Sequence, residues 1–240
     1  MARRRRWALA VAVLLAGMWG CAPRLVGLEY DTLVRLKAEP EIHVVRYPAP
    51  AFDVTVPGNS LVGSSFGVSG GAIAVPSQGA AAAEPGAAYG LTDPARTVQD
   101  GVVASLGFEM GLTNLRPVDE VRPTDRLDEL GKAFGHGFVL DVTTLRWGLS
   151  YDPEIWTQYR VVYSARARLV RADDASLAWQ GVCDASEREA MSGTTMGELM
   201  ATDAALLRDK LEVAARSCAD ELVHQLLRQA GWDQGAPRTP

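Results

Sequence analysis

The pattern of apolar residues predicts an α/β (α+β) protein: a single mixed, largely antiparallel sheet with helices packed on it and a long C-terminal helix. Three observations predict it. Between Phe138 and Asp184, three segments alternate apolar and polar side chains with period two, as strands with one packed face do. From Met196 to Gln229, the residues Met200, Ala204, Leu207, Leu211, Ala215, Cys218 and Leu222 recur at three- and four-residue steps, which is one helical stripe. Upstream, strand-like and helix-like segments alternate, and an order of this kind lays helices on a sheet.

The N-terminus reads as an address. Arg3 to Arg6 precede the apolar run Ala8–Gly20, a basic region followed by a hydrophobic one of signal-peptide length. Ordinary secretion and an uncleaved anchor are the alternatives. The run is too short to span a bilayer comfortably, and no run of 18 apolar residues occurs elsewhere. Residues 1–20 are therefore expected to be a signal peptide. Residues 21–40 are expected to be a tether, with a short helix around Tyr30–Lys37.

A single domain is expected over 41–231, followed by a disordered tail at 232–240. Glu41–Tyr47 is β-branched and closed by Pro48 and Pro50, so it reads as a strand that Ala51–Val56 extends past a kink. Residues 58–90 hold eight Gly, eight Ala and five Ser, with Glu84 the only charge. Such small side chains cannot build a core, so an insert or loop is expected there. The Gly63, Gly67, Gly71 spacing would also suit a short helix that contacts a membrane or a partner.

Asp93-Pro94 is a helix start, with Val98, Val102 and Leu106 as its stripe; Gly107 is one possible end, and a longer course through Phe108 and Met110 is the other. A short strand is expected at Asn114–Val118. A second helix starts at Thr124 or Asp125, with Leu127, Leu130 and Phe134 inward and Gly135 ending it. Three strands follow: Phe138–Trp147, Tyr159–Val170 and Leu177–Asp184. In the second, Val161, Tyr163, Ala165, Ala167 and Leu169 alternate with a largely basic, solvent-facing set. Thr195-Met196-Gly197-Glu198 is a capping box for the last helix, and Gly231 its stop.

Composition narrows the function. With 48% hydrophobic and 22% charged residues, the chain has a globular balance rather than a disordered one. Removing residues 1–20 takes four Arg and no acid, so Lys+Arg falls from 24 to 20 against 29 Asp+Glu, a net charge of −9. That surface is unsuited to nucleic acid. Walker A, Rossmann and H-E-x-x-H patterns are not found. His43, His136 and His224 are scattered and none lies at ligand spacing from a Cys, so neither a metal nor another cofactor is expected. His136 and Asp141 share a strand but are five residues apart, so they face opposite ways; a turn His and a strand-edge Asp are expected, and no catalytic residue.

Cys183 and Cys218 are the only thiols outside Cys21. Leu177, Trp179, Gly181 and Cys183 would share one strand face, and Cys218 lies on the helix stripe. Both sulfurs would then meet at the sheet–helix interface, as a disulfide if the chain is exported, or as two reduced buried thiols. Two features could bind a partner: the row Arg160, Arg166 and Arg168, and the connection 148–158 with Tyr151, Ile155 and Trp156.

Met18-Trp19-Gly20-Cys21 resembles the lipobox of bacterial lipoproteins, in which the cysteine becomes the acylated first residue after cleavage. Ala22 after it, rather than Asp, implies outer-membrane sorting, with the protein facing the periplasm. With the element order from Glu41 to Cys218, the Asp93-Pro94 start and the Val170…Trp179…Cys183 strand pair, the chain resembles periplasmic lipoprotein domains of the TolB-N/CsgG-like kind, which include the LpoB-like penicillin-binding-protein activators. The resemblance implies a non-enzymatic accessory or scaffold in cell-envelope assembly, held to the membrane by its N-terminal lipid and contacting an envelope protein. The alternative is an auxiliary lipid- or solute-binding lipoprotein of an ABC-type transport system. The oligomeric state is left open.

Overall fold

A computed structural model describes residues 27–55, 90–152, 154–155, 157–185 and 194–231. Its elements are α1 (Tyr30–Ala38), β1 (Ile42–Arg46), β2 (Asp53–Thr55), α2 (Ala95–Met110), β3 (Leu115–Pro117), α3 (Leu127–Phe134), β4 (Phe138–Tyr151), β5 (Gln158–Arg171), β6 (Ser176–Asp184), β7 (Thr194–Thr195) and α4 (Met196–Gln229). The seven strands form one sheet along the path β3-β1-β4-β5-β6, with β2 beside β4 and β7 beside β5. β4, β5 and β6 are an antiparallel meander. β1 enters parallel to both β3 and β4, and β2 is also parallel to β4. The expected mixed, largely antiparallel sheet and long last helix are present.

The kink after β1 lets one segment run along the same edge of β4 twice. Val44 stands opposite Leu140, and after Pro48 and Pro50, Asp53 stands opposite Gly148. The crossing is held by Trp147, whose Nε1 donates to the Pro50 carbonyl at 2.7 Å and whose ring meets Phe52 edge-on at 5.0 Å. Position 148 must be glycine, because a Cβ there would lie 1.9 Å from the Asp53 carbonyl oxygen. β4 carries a bulge at Leu145 between the Thr144 and Arg146 pairings, which bends the strand and leaves Leu145 exposed.

One face of the sheet carries α2 and α4. Val44, Leu140, Val142, Val161, Tyr163, Ala165, Ala167 and Leu169 pack there against Val98, Val102 and Leu106 of α2 and Leu207, Leu211, Ala215 and Leu222 of α4. α2 and α4 cross closely at Gly101, where a Cβ would come 2.8 Å from the Ala219 methyl. α2 takes the longer of its two expected courses, past Gly107 through Phe108 and Met110, and ends at Gly111, whose φ of 68° is the left-handed cap that glycine adopts readily. Met110 is buried, so the last turn has an apolar reason to form.

The second face is covered by α3. Leu130 is buried there with Val45, Tyr47, Val139, Val170 and Ala172. Leu177 packs on this face and not on the α4 face as expected. The bulge between the Leu169↔Trp179 and Val170↔Leu177 pairings inserts Ala178 and turns Leu177 over.

Two further expectations change in part. The short helix expected in the tether forms as α1, but it is packed rather than loose: Leu28, Leu33 and Leu36 are buried in the main core. Asn114 fixes its end by donating from Nδ2 to the carbonyls of Leu36 and Glu39. The folded unit thus includes residues ahead of 41. α4 has the expected capping box, Thr195 and Glu198 bonding reciprocally. It is interrupted at Ala201–Ala204, where Thr202, Asp203 and Ala204 have φ of 52–59°. Ala204 and Leu207 are buried all the same, so the stripe resumes beyond the break.

Among the described residues no helix is long and apolar enough to cross a membrane. The signal peptide, Cys21, nearly all of the 58–90 insert, Trp156 and the 232–240 tail lie outside the described residues.

Candidate functional site

The polar residues singled out in the sequence converge on the second face of the sheet. Asp141 projects from β4, the middle of the strand path, and is fully buried. It is not a strand-edge residue, because β1 inserts on its other side. Arg168, directly opposite on β5, donates to it from Nε at 2.9 Å and 3.1 Å and from Nη2 at 2.5 Å. The Tyr47 hydroxyl donates to Asp141 Oδ2 at 3.1 Å. Arg168 Nη2 also donates to the Asp125 carbonyl, and Arg166 Nη2 donates to the Asp125 carboxylate. The segment before α3 is thereby tied to the sheet.

Electrostatics follow from this burial. Desolvation pushes the Asp141 carboxyl above its ordinary range, against the opposing pull of the Arg168 guanidinium. Burial also opposes the Arg168 charge, yet the Asp141 carboxylate outweighs it and raises the guanidinium. Tyr47 is raised first by burial and then by the Asp141 charge, so its hydroxyl stays a donor. Asp125, more exposed, is lowered chiefly by its hydrogen bond from Arg166.

The basic row is therefore not a solvent-facing surface, as the alternation suggested. Arg168 is buried, and Arg166 is mostly covered and turned to Asp125. Arg160 Nε lies 3.7 Å from the buried carboxylate of Asp152. α3 and the segment leading to it cover this face, which strand periodicity cannot display.

The connection after β4 is ordered around Asp152. Its Oδ1 accepts from the Glu154 and Ile155 amides, and its own N–H donates to the Gln158 carbonyl. Tyr151 is half-buried and Ile155 is 43% exposed. Trp156, the other aromatic expected there, lies outside the described residues.

A second buried polar cluster was not anticipated. Asp93 Oδ1 accepts from the Ala95 amide at 3.0 Å, capping α2, and from the Thr144 hydroxyl at 2.6 Å. Thr144 also meets the Tyr163 hydroxyl at 3.1 Å. Burial raises the Asp93 carboxyl and the Tyr163 hydroxyl. The signal was present, since Thr144 and Tyr163 are polar atoms on an otherwise apolar face.

Cys183 on β6 and Cys218 on α4 are joined by a disulfide, their Cα atoms 5.4 Å apart and both fully buried. His136 sits in the turn after α3 and is exposed, whereas Asp141 is fully buried, so the two form no pair. A small apolar pocket of about 10 Å³, room for roughly one water, lies among Leu36, Ile42, Leu106, Met110, Leu140 and Leu226. Ligand sites usually take 300–1,000 Å³ and add a few placed polar groups. This one has aliphatic walls only.

The Gly-rich segment holds two G-x-S-x-G spacings, around Ser65 and Ser69, of the kind seen at nucleophile elbows. They lie outside the described residues. In a run this rich in Gly and Ser, without a strand-then-helix pattern around it, the spacing arises by composition alone.

No family model and no curated protein matches this chain. Solved structures that this chain is similar to include the PelC dodecamer from Paraburkholderia phytofirmans, at 12% identity over 80% of this chain and 90% of that one, TM-score 0.36. A DUF330 protein from Xanthomonas campestris is 16% identical over 81% and 87%, TM-score 0.38. Lipoprotein GNA1162 from Neisseria meningitidis is 18% identical over 70% and 96%, TM-score 0.30. The functional reading rests on this chain's own residues.

Proposed function

We propose that this protein is a periplasmic lipoprotein, anchored in the outer membrane through Cys21 and serving as a non-enzymatic accessory or scaffold in cell-envelope assembly. The observation that carries the reading is the buried Cys183–Cys218 disulfide. Such bonds form and persist in oxidising compartments, which agrees with the basic, then apolar, N-terminus ending at Cys21.

The scaffold role is supported by how the buried polar groups are used. Asp141 is bonded to Arg168 and Tyr47, Asp93 to Thr144, and Asp152 to its own loop. The first two tie one element to another, and the third orders the connection after β4. The small aliphatic pocket counts against a bound lipid or solute. In-cell crosslinking of the tagged, full-length protein, followed by membrane fractionation, tests the reading. The expected result is outer-membrane recovery with one envelope protein captured reproducibly. Recovery in the cytosol, or an envelope complex that works fully without the gene, would overturn it.

A further inference from the structure

The helix α1 is the first described element, and it divides into two faces. Thr32, Leu33 and Leu36 are buried, while Tyr30 and Val34, one turn apart, are 72% and 51% exposed. The last turn of α2 lies beside it: Leu106 and Met110 of α2 and Leu36 of α1 line the same pocket. From that turn Phe108 stands 86% exposed. Tyr30, Val34 and Phe108 are turned outward and have no role in the core.

The position of the anchor says what covers them. Tyr30 lies nine positions after Cys21, a reach of at most about 30 Å when fully extended. Whatever surface holds the acyl chains is therefore the surface nearest to α1. A chain with a net charge of −9 after residue 20 has no general attraction to anionic head groups, so the contact has to be apolar. Tyr suits the head-group level, with an apolar ring and a polar tip. Arg35, in the last turn of α1, is turned to Asp173 at 3.7 Å and lies over the Phe138 ring, while Asp31 and Lys37 are exposed and have to reach the head groups at the edge of the contact.

We propose that the outward face of α1, with Phe108 beside it, lies on the bilayer that carries the lipid on Cys21. This face fixes how the domain stands on the membrane. It leaves the outward side of α4 and the β4–β5 connection turned to other proteins. The inference rests on the lipoprotein reading and deepens it.

The test uses the full-length protein matured in cells and reconstituted into phosphatidylethanolamine–phosphatidylglycerol vesicles. With Cys21 acylated and Cys183 and Cys218 joined, a thiol dye that reports polarity reacts only at an introduced cysteine. Three variants serve: Val34→Cys, Phe108→Cys and, as a control on α4, Val213→Cys, where Val213 is 65% exposed. At positions 34 and 108, emission is expected to shift to the blue and rise several-fold on reconstitution, and to be quenched by nitroxide-labelled lipid. Position 213 should stay water-like. If Cys21 is acylated by mass yet all three positions stay water-like, or all three respond alike, the inference is overturned and the lipoprotein reading stands. If Cys21 carries no lipid, both fall together.

Discussion

The two faces of the sheet are held by different forces. On the α2/α4 face, apolar side chains fill the space between sheet and helices, and a disulfide fastens β6 to α4. On the α3 face a short helix covers a smaller apolar cluster, and a buried ion pair joins β4 to β5 and to the segment before α3. The first face gains stability from area removed from water, which needs no particular partner. The second depends on each buried polar group meeting its counterpart, because an unpaired buried charge is costly. The faces should therefore answer mutation differently.

The largest expected effect is on the first face. Trp179→Ala removes a ring that is 1% exposed and packed over Gly181, and should cost about 3–5 kcal/mol in denaturant titration. Replacing Cys183 and Cys218 together by Ala should cost about 3–4 kcal/mol, for a loop of 35 residues in the chain-entropy model. No compensating change elsewhere should restore either loss.

The second face should behave as a pair. Arg168→Met alone leaves Asp141 buried without its cation, and should cost about 3 kcal/mol or more. Combined with Asp141→Leu and Tyr47→Phe, it should lie within about 1 kcal/mol of the parent, because no buried charge is then stranded. If the combined variant is as unstable as the single one, the two faces do not differ as described.

Acid titration sharpens the contrast within the second face. Asp125 has a lowered folded-state pKa, so its contribution is complete above its unfolded value, about 4, and is lost as pH falls through the folded one. Asp141 has a raised pKa, so its contribution is complete below the unfolded value and is lost as pH rises through the folded one. Asp125→Asn should flatten the fall of Tm on the acid side. An unchanged acid limb in thermal melts would remove Asp125 from the account.

The smallest effect concerns α4. Thr202 is β-branched and exposed, and it holds a φ of 52°, which glycine adopts without strain. Thr202→Gly should raise stability by up to about 1 kcal/mol, read as a higher Tm.

How far the sequence carried these features depended on how local each one is. Strands β4 to β6 were legible because alternation reflects the pleat itself. Both cysteines could be aimed at one interface, since Cys183 follows Trp179 and Gly181 by period two and Cys218 follows Ala215 on the helix stripe. The bulges at Leu145 and Ala178 were not legible, because an extra residue is decided by the strand opposite. The same holds for Arg168. Its alternation pointed to solvent, and only the placement of α3, the preceding segment and β1 around Asp141 makes that face an interior. The α1 helix was visible, but not that Leu33 and Leu36 find a core beside α2 to bury in. Of the candidate binding residues, Arg166 and Arg168 turned inward to acids that lie far away in sequence, while the partner of Arg160 is Asp152 in the neighbouring connection.

The account depends above all on export with acylation at Cys21 and oxidation of the remaining thiols. Non-reducing peptide mass mapping of the protein from its native envelope fraction tests both at once. The account predicts a chain that begins at Cys21 with diacylglyceryl and amide-linked acyl mass, and a cross-linked peptide joining Cys183 to Cys218. A chain that starts at Met1, or an unacylated start with both thiols free, would contradict it.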